Sequence, residues 1–147
     1  MTEDMELFVQ KFRTQELSFA EPQGWQLSLR PAQTTLGAMI LSVQSGARDL
    51  TALDAQEAQG MSQGFALAEH LARSHFGAVR INILCLMMQD PIVHFHILPR
   101  YDQTVGRYDK QWTDADWPRP PHISTDAADE VILMRMLEDV RTYMKQR

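Results

Sequence analysis

Two periodicities of hydrophobic and polar residues are found along this chain. Short stretches rich in β-branched and apolar residues, alternating in part with polar ones, predict β-strands. Stretches in which apolar residues recur every three or four positions predict helices with one buried face. The predicted strands are residues 25–30, 36–43, 79–87 and 92–98, and the predicted helices are residues 2–17, 54–74 and 126–145. We therefore expect the α+β class, with the long helix and the C-terminal helix packed on one antiparallel sheet.

The long helix has the clearest local signals. Asp54 followed three residues later by Glu57 is typical of a capping box, in which each residue satisfies a backbone N–H group of the other. Met61, Phe65 and Ala68 fall on one face and predict a contact with the sheet. This face is interpreted as core.

The two ends of the chain are less regular. The helix at 2–17 carries acidic residues in its first turn, where the helix dipole favours them. We expect it to cover a sheet edge or a dimer partner. Residues 101–125 have no clear periodicity, but Trp112 and Trp117 argue against plain disorder. We expect this segment to pack across the sheet and to border a pocket or a partner subunit.

Composition and charge indicate one domain, residues 1–147, and limit its partners. The net charge is −5 and the isoelectric point about 5.4, which argues against nucleic acid and anionic membranes, since both need a basic face. No apolar run approaches the roughly 18 residues of a membrane span, and the acidic start is unlike a signal peptide. The single cysteine, Cys85, excludes an intramolecular disulfide and suits a reducing compartment. We expect a cytoplasmic protein.

Two histidines interrupt the otherwise apolar strand at 92–98. Ile92, His94 and His96 fall on one face, which places the two imidazoles roughly 6.6 Å apart at about 3.3 Å per residue. A single histidine in a strand is usually a buried, hydrogen-bonded side chain. Burying two without partners is costly, so this face has a use. The chemical alternatives are a metal site and nucleophilic catalysis by an imidazole nitrogen.

The sequence of residues 94–100, His-Phe-His-Ile-Leu-Pro-Arg, resembles the second half of the histidine triad (HIT) motif followed by the Pro-Arg of its hydrolase branches. Residues 80–83, Arg-Ile-Asn-Ile, resemble the strand that precedes the motif in some bacterial members. Residues 88–90, Met-Gln-Asp, are spelled as in fragile-histidine-triad proteins. The resemblance covers about residues 25–101, and a loop and helix at 102–147 follow it.

This resemblance implies a HIT-like sheet and a nucleotide hydrolase or transferase. Such an enzyme cleaves at the α-phosphate of dinucleoside polyphosphates or related nucleoside monophosphate conjugates. His94 would attack phosphorus to form a nucleotidyl-histidine, and His96 would hold phosphate oxygens or help the leaving group. Asn82 and Arg30 would lie near the nucleotide sugar, and Gln89 would turn its amide towards the phosphates. The alternatives are a hydrogen bond to a neighbouring loop for Asn82 and a surface cation for Arg30. Members of this size commonly form homodimers that extend the sheet, so we expect a homodimer.

One position departs from the motif, because Ile92 stands where the first histidine of the triad is expected. Some relatives carry glutamine there. The replacement puts rate and leaving-group preference in question and keeps a second reading open, a nucleotide-binding protein with little or no catalysis. A divalent-metal site on His94 and His96 ranks last, because no further ligand pattern accompanies them. We expect no resident cofactor, and magnesium only as an ion that accompanies the substrate.

Overall fold

A computed structural model describes residues 1–147. The helices are α1 (Glu3–Phe12), α2 (Ala55–His70) and α3 (Glu130–Lys145), with a 3₁₀ turn at Leu50–Ala52 and a π-helical turn at Leu71–His75. The strands are β1 (Ser18–Ala20), β2 (Trp25–Leu29), β3 (Met39–Val43), β4 (Arg80–Leu84), β5 (His94–Arg100), β6 (Val105–Arg107) and β7 (Lys110–Trp112). The predicted α+β class is confirmed. None of the helices is both long and apolar enough to cross a lipid bilayer.

Five strands form one antiparallel sheet in the order β1-β2-β3-β5-β4, and β6 and β7 form a separate hairpin. The histidine-bearing strand β5 lies between β3 and β4. Its register places His96 opposite Ile40 and His94 opposite Ser42. Residues directly opposite each other in an antiparallel pair share a face. The two histidines therefore project from the interior of the sheet, away from its edges.

The apolar face of the sheet packs against α2. A Cβ atom at Gly64 would lie 2.7 Å from a methyl carbon of Leu41, and Gly60 is buried in the same stripe. Only glycine permits helix and sheet to approach this closely. Of the predicted stripe, Ala68 is fully buried, whereas Met61 and Phe65 are half-buried. The predicted contact exists, and the buried Gly60 and Gly64 also belong to it.

Helix boundaries follow their caps. The predicted capping box of α2 is present, with Asp54 accepting from the backbone N–H of Glu57 and the Glu57 carboxylate accepting in return. Helix α3 begins four residues later than predicted, after Asp129, whose side chain accepts from the backbone N–H of Ile132 at 3.1 Å. Helix α1 ends five residues earlier than predicted, because Arg13 adopts the left-handed conformation with φ 53°.

All four predicted strands differ in extent, β2 by ending one residue earlier and β3 by beginning later, at Met39. Strand β4 ends at Leu84, and the connection to β5 includes Met87 in the left-handed region with φ 50°. Strand β5 runs from His94 to Arg100, two residues later at each end than predicted, and includes Pro99. Strand β3 pairs with β5 only as far as Ile97. Beyond that point one edge of β5 is unpaired, so a residue without an N–H group is tolerated.

The segment at 101–125 contains the β6-β7 hairpin, which the sequence did not predict. The turn residues Tyr108 and Asp109 are both left-handed, with φ 56° and 58°. Trp112 is buried in the core at the end of the hairpin. Asp114 then accepts from the Nε of Arg100 at 2.7 Å. The segment is thereby fixed to the end of β5.

Candidate active site

The histidines of β5 lie side by side beneath the N-terminal helix. The ring centroids of His94 and His96 are 5.0 Å apart, with an angle of 83° between the rings. Phe8 contacts His94 at a centroid distance of 4.9 Å, and Phe12 lies 5.8 Å from His94 and 5.9 Å from His96. These two phenylalanines form a roof over the histidines, and His94 and His96 are 2% and 6% exposed, respectively. Helix α1 thus covers the histidine face and not a sheet edge.

His94 has one ring nitrogen committed to the backbone. Its Nδ1 donates to the carbonyl oxygen of Ile92 at 2.6 Å. A carbonyl only accepts, so the proton of a neutral ring resides on Nδ1 and the lone pair on Nε2. Burial lowers the pKa of His94 below its ordinary value, against the opposing effect of this hydrogen bond. At neutral pH the ring is therefore uncharged and carries a free lone pair.

His96 is held neutral more strongly than His94. Burial, followed by the positive charge of Arg30, lowers its pKa to about 3. Its buried Nδ1 has no hydrogen-bond partner within the protein. An unpaired buried polar atom is costly, and it is an available contact for a ligand atom placed between the two rings.

A cavity of about 200 Å³ opens beside the histidines. It is bounded by the β4-β5 connection, the two rings and one residue of the 101–125 segment. The lining residues are Leu86, Met87, Met88, Gln89, Asp90, His94, His96 and Ile123. Gln89 therefore lies with the histidines, as the sequence suggested. Larger depressions of about 440 to 620 Å³ elsewhere contain neither His94 nor His96, so the paired imidazoles point to the smaller cavity.

Arg30 lies close behind this site but its guanidinium is engaged by the protein. It donates to the carbonyl of Ala32 at 3.1 Å, to the hydroxyl of Thr34 at 3.1 Å and to the carbonyl of Ser124 at 3.2 Å. Burial lowers its pKa to about 10. The charge of Arg30 acts on both histidines, while its side chain does not line the cavity.

Asn82 is directed into a different network. Its Oδ1 accepts from Arg100 Nη1 at 2.7 Å and its Nδ2 donates to the carbonyl of Ile81 at 3.3 Å. Arg100 also pairs with Asp114 and donates to the carbonyl of Arg119 at 2.8 Å. The structure therefore does not bring Asn82 into the cavity, and its hydrogen bonds fix the end of β5 to the following segment.

Three residues at the site were absent from the sequence-based prediction. Phe8 and Phe12 form the roof, and Lys11 between them in sequence pairs with Asp90 on the cavity wall at 2.9 Å. A Phe-Phe pair at i, i+4 indicates a buried helix face. Nothing in the local pattern indicates which surface that face covers.

Ile92 stands at the position where the resemblance leads us to expect the first triad histidine. Its side chain is fully buried in the core, and its backbone carbonyl is the acceptor for His94. The residue therefore contributes to the site through its main chain. No imidazole is present there to exchange protons with a leaving group.

The arrangement permits nucleophilic chemistry more readily than metal binding. No group of three or more His, Cys, Asp or Glu side chains is placed to hold a metal ion, and structural and catalytic zinc sites need at least three protein ligands. A neutral imidazole with a fixed tautomer and a free lone pair is a competent nucleophile without prior loss of a proton.

No protein-family model and no curated protein matches the sequence. Solved structures do match the fold. A histidine triad protein of Bradyrhizobium japonicum has a TM-score of 0.64 at 18% identity and covers 88% of this chain and 92% of its own. One from Marinobacter aquaeolei has a TM-score of 0.62 at 22% identity, with 91% and 93% covered. The diadenosine triphosphate hydrolase of Plasmodium falciparum has a TM-score of 0.65 at 12% identity, with 99% of both chains covered. At these identities the likeness shows the fold, and this chain has the HIT fold.

Proposed function

We propose that this protein, with its HIT fold, is a nucleotide hydrolase or transferase that cleaves at the α-phosphate of dinucleoside polyphosphates or related nucleoside monophosphate conjugates. The observation that carries the proposal is the state of His94. Its Nδ1 donates to the Ile92 carbonyl at 2.6 Å, its ring is buried and uncharged, and it lines a cavity. The free lone pair on Nε2 is the nucleophile.

The reaction proceeds in two displacements. In the first, His94 Nε2 forms a bond to the α-phosphorus and the bond from phosphorus to the leaving group breaks, with its electron pair leaving on that group. In the second, water forms a bond to phosphorus and the bond to Nε2 breaks with its electron pair returning to Nε2, while the proton that water loses passes to solvent or to the departed leaving group. The products are a nucleoside monophosphate and the neutral imidazole. Splitting one displacement into two lowers each barrier.

The other polar groups of the cavity are assigned to the phosphate. Gln89 has amide N–H donors for the charge that develops on the phosphate oxygens. His96 donates to a phosphate oxygen through Nδ1, the nitrogen that has no partner within the protein. A cavity of about 200 Å³ is smaller than the roughly 300 to 1,000 Å³ of a complete small-molecule pocket. It therefore accommodates the phosphate under attack, and the nucleoside lies at its mouth.

A second function is favoured by one observation, the buried apolar side chain at Ile92. Without the first triad histidine, protonation of a poor leaving group lacks a dedicated donor. A protein that binds nucleotides and turns them over weakly or not at all has the same cavity and the same His94 geometry. The two functions differ only in whether AMP is released.

The test is AMP release from diadenosine tetraphosphate and from an adenosine phosphoramidate, with and without magnesium. His94→Asn retains a side-chain N–H group for the Ile92 carbonyl but removes the nucleophile, and His122→Asn at an exposed histidine is the matched control. We expect AMP release by the wild type and by His122→Asn, and none by His94→Asn. If the three proteins bind AMP but none of them releases AMP from either substrate, the second function would be established instead.

A further inference from the structure

The proposed substrate is a polyanion, yet the cavity wall carries a carboxylate and no cation. Among the lining residues Asp90 is the charged one, since His94 and His96 are neutral at neutral pH. A phosphate approaching the histidines meets the negative charge of Asp90 in a partly desolvated place, where like charges repel strongly. A cation must therefore offset this charge when the substrate binds.

Two cations act on both imidazoles, Arg30 and Lys11, because each lowers the pKa of both rings. The Arg30 guanidinium is buried and bonded to two carbonyls and a hydroxyl of the protein. Lys11 differs in being 49% exposed along its side chain and in having Asp90 as its acceptor, with Nζ at 2.9 and 3.1 Å from the two oxygens. Of the two, Lys11 has the freedom to turn towards a new partner.

Lys11 is also held beside Asp90 of the cavity wall by the helix that carries it. Its neighbour Phe12 packs against both histidine rings, and Lys11 Nζ lies 5.2 Å from the Phe12 ring centroid. The flexible stem of lysine and its three rotatable donors allow the ammonium to change acceptors within a small radius. Exchange of a carboxylate for a phosphate replaces one charge-assisted hydrogen bond by another.

We propose that Lys11 is a substrate-binding residue that leaves Asp90 and pairs with the phosphates when a nucleotide enters. This rests on the proposed function, because it takes the cavity of His94 as the phosphate site. It assigns to α1, which lies outside the segment resembling the HIT motif, a direct part in substrate recognition. Asp90 holds the ammonium in place while the site is empty.

The test is calorimetric binding of AMP and of adenosine, which lacks the phosphate, to four variants at one ionic strength. Lys11→Met removes the charge, and Lys11→Arg restores it. Asp90→Asn releases the ammonium. Asp4→Asn is the matched control, because it breaks the ion pair of α1 with Arg48 at a site away from the cavity.

We expect Lys11→Met to bind AMP roughly five- to thirty-fold more weakly than the wild type. This range is the contribution of one charged hydrogen bond to the phosphate, reduced by the contribution of the ion pair with Asp90 that is given up to form it. Adenosine binding stays unchanged, and Lys11→Arg recovers most of the AMP affinity. Asp90→Asn binds AMP roughly two- to five-fold more tightly, since a repulsive charge is removed. Asp4→Asn behaves as the wild type.

Equal AMP affinity of Lys11→Met and wild type would overturn the proposal. So would an equal loss for AMP and adenosine, or the same loss in Asp4→Asn, because these results indicate that α1 merely docks less well. AMP release measured in parallel separates the two proposals. If AMP release depends on His94 but Lys11→Met leaves AMP affinity unchanged, only the role of Lys11 is overturned. If AMP affinity depends on Lys11 but no AMP is released, only the catalytic proposal is overturned. A wild type that does not bind AMP overturns both.

Discussion

Replacement of Asp114 by asparagine tests whether the buried ion pair at the end of β5 stabilises the fold. Asp114 and Arg100 are 2% and 3% exposed along their side chains, with 2.7 Å between Oδ2 and Nε. The carboxylate also accepts from Arg100 Nη2 at 3.2 Å and from the backbone N–H of Tyr101 at 3.1 Å. Removal of the negative charge leaves a guanidinium buried without its counter-ion.

Breaking one partner of a buried pair typically costs about 3 to 5 kcal/mol. Asparagine retains one oxygen acceptor, and Arg100 keeps its bonds to Asn82 and to the Arg119 carbonyl. We therefore expect the lower end, a loss of about 3 kcal/mol in the free energy of unfolding. For a chain of this size this corresponds to a fall of about 6 to 12 °C in Tm.

The assay is urea unfolding followed by circular dichroism, with Asp109→Asn as the control. Asp109 also pairs with an arginine, Arg135 at 3.0 Å, but its side chain is 91% exposed, so its replacement should leave the unfolding midpoint almost unchanged. A loss below about 1 kcal/mol in Asp114→Asn, or equal losses in the two variants, would refute the reasoning that burial makes this pair matter.

Two further predictions concern stability. The pKa of His96 is about 3 in the folded protein and about 6.5 when unfolded, so the unfolded state takes up the extra proton as the pH falls below 6.5. This group therefore lowers the free energy of unfolding on acidification by up to about 1.4 kcal/mol per pH unit. In urea unfolding, the free energy of unfolding of His96→Asn should fall less steeply than that of the wild type between pH 7 and pH 5. An equal dependence on pH in the two proteins would contradict the lowered pKa of His96. Gly60→Ala places a Cβ against the carbonyl oxygen of Gln23 and should cost about 1 to 3 kcal/mol, whereas Gly106→Ala meets only the flexible end of Gln111 and should cost much less. Equal thermal midpoints for the two glycine variants would count against a close approach of α2 to its neighbours.

Local signals made the strand with the histidines and the cap of α2 predictable. The alternation around His94 and His96 predicted that they share one face, and the pair Asp54 and Glu57 predicted the start of the helix. Both depend on residues within a few positions of each other. The predicted homodimer stays a prediction.

The β6-β7 hairpin was not predictable because its turn lacks the usual signature. Two-residue hairpin turns with both residues left-handed favour Asn-Gly or Asp-Gly, whereas this turn is Tyr108-Asp109. A contact with α3 holds it in place, with the hydroxyl of half-buried Tyr108 donating to Asp139 at 2.6 Å. Tertiary contacts from residues far along the chain thus override the local preference.

The position of α1 was unpredictable for a similar reason. Its sequence shows an apolar face, but the surface that this face covers depends on contacts between Phe8 or Phe12 and histidines more than 80 positions away. No pattern in the sequence therefore predicts that Lys11 lies beside the cavity, paired with Asp90. The same limit applies to Asn82, because its partner Arg100 lies 18 positions further along the chain.

The roof formed by Phe8 and Phe12 has a consequence for the timing of the proposed reaction. The attack by His94 proceeds best in a dry site, where the lone pair is not solvated, while the second displacement consumes a water molecule. An aromatic cover over the rings would keep water away from the lone pair of His94. For the same reason it would slow the hydrolysis that frees His94 from phosphorus in the second step. The covalent nucleotidyl-enzyme would then persist between the two steps, and an alcohol or amine able to reach phosphorus before water would become the acceptor in its place.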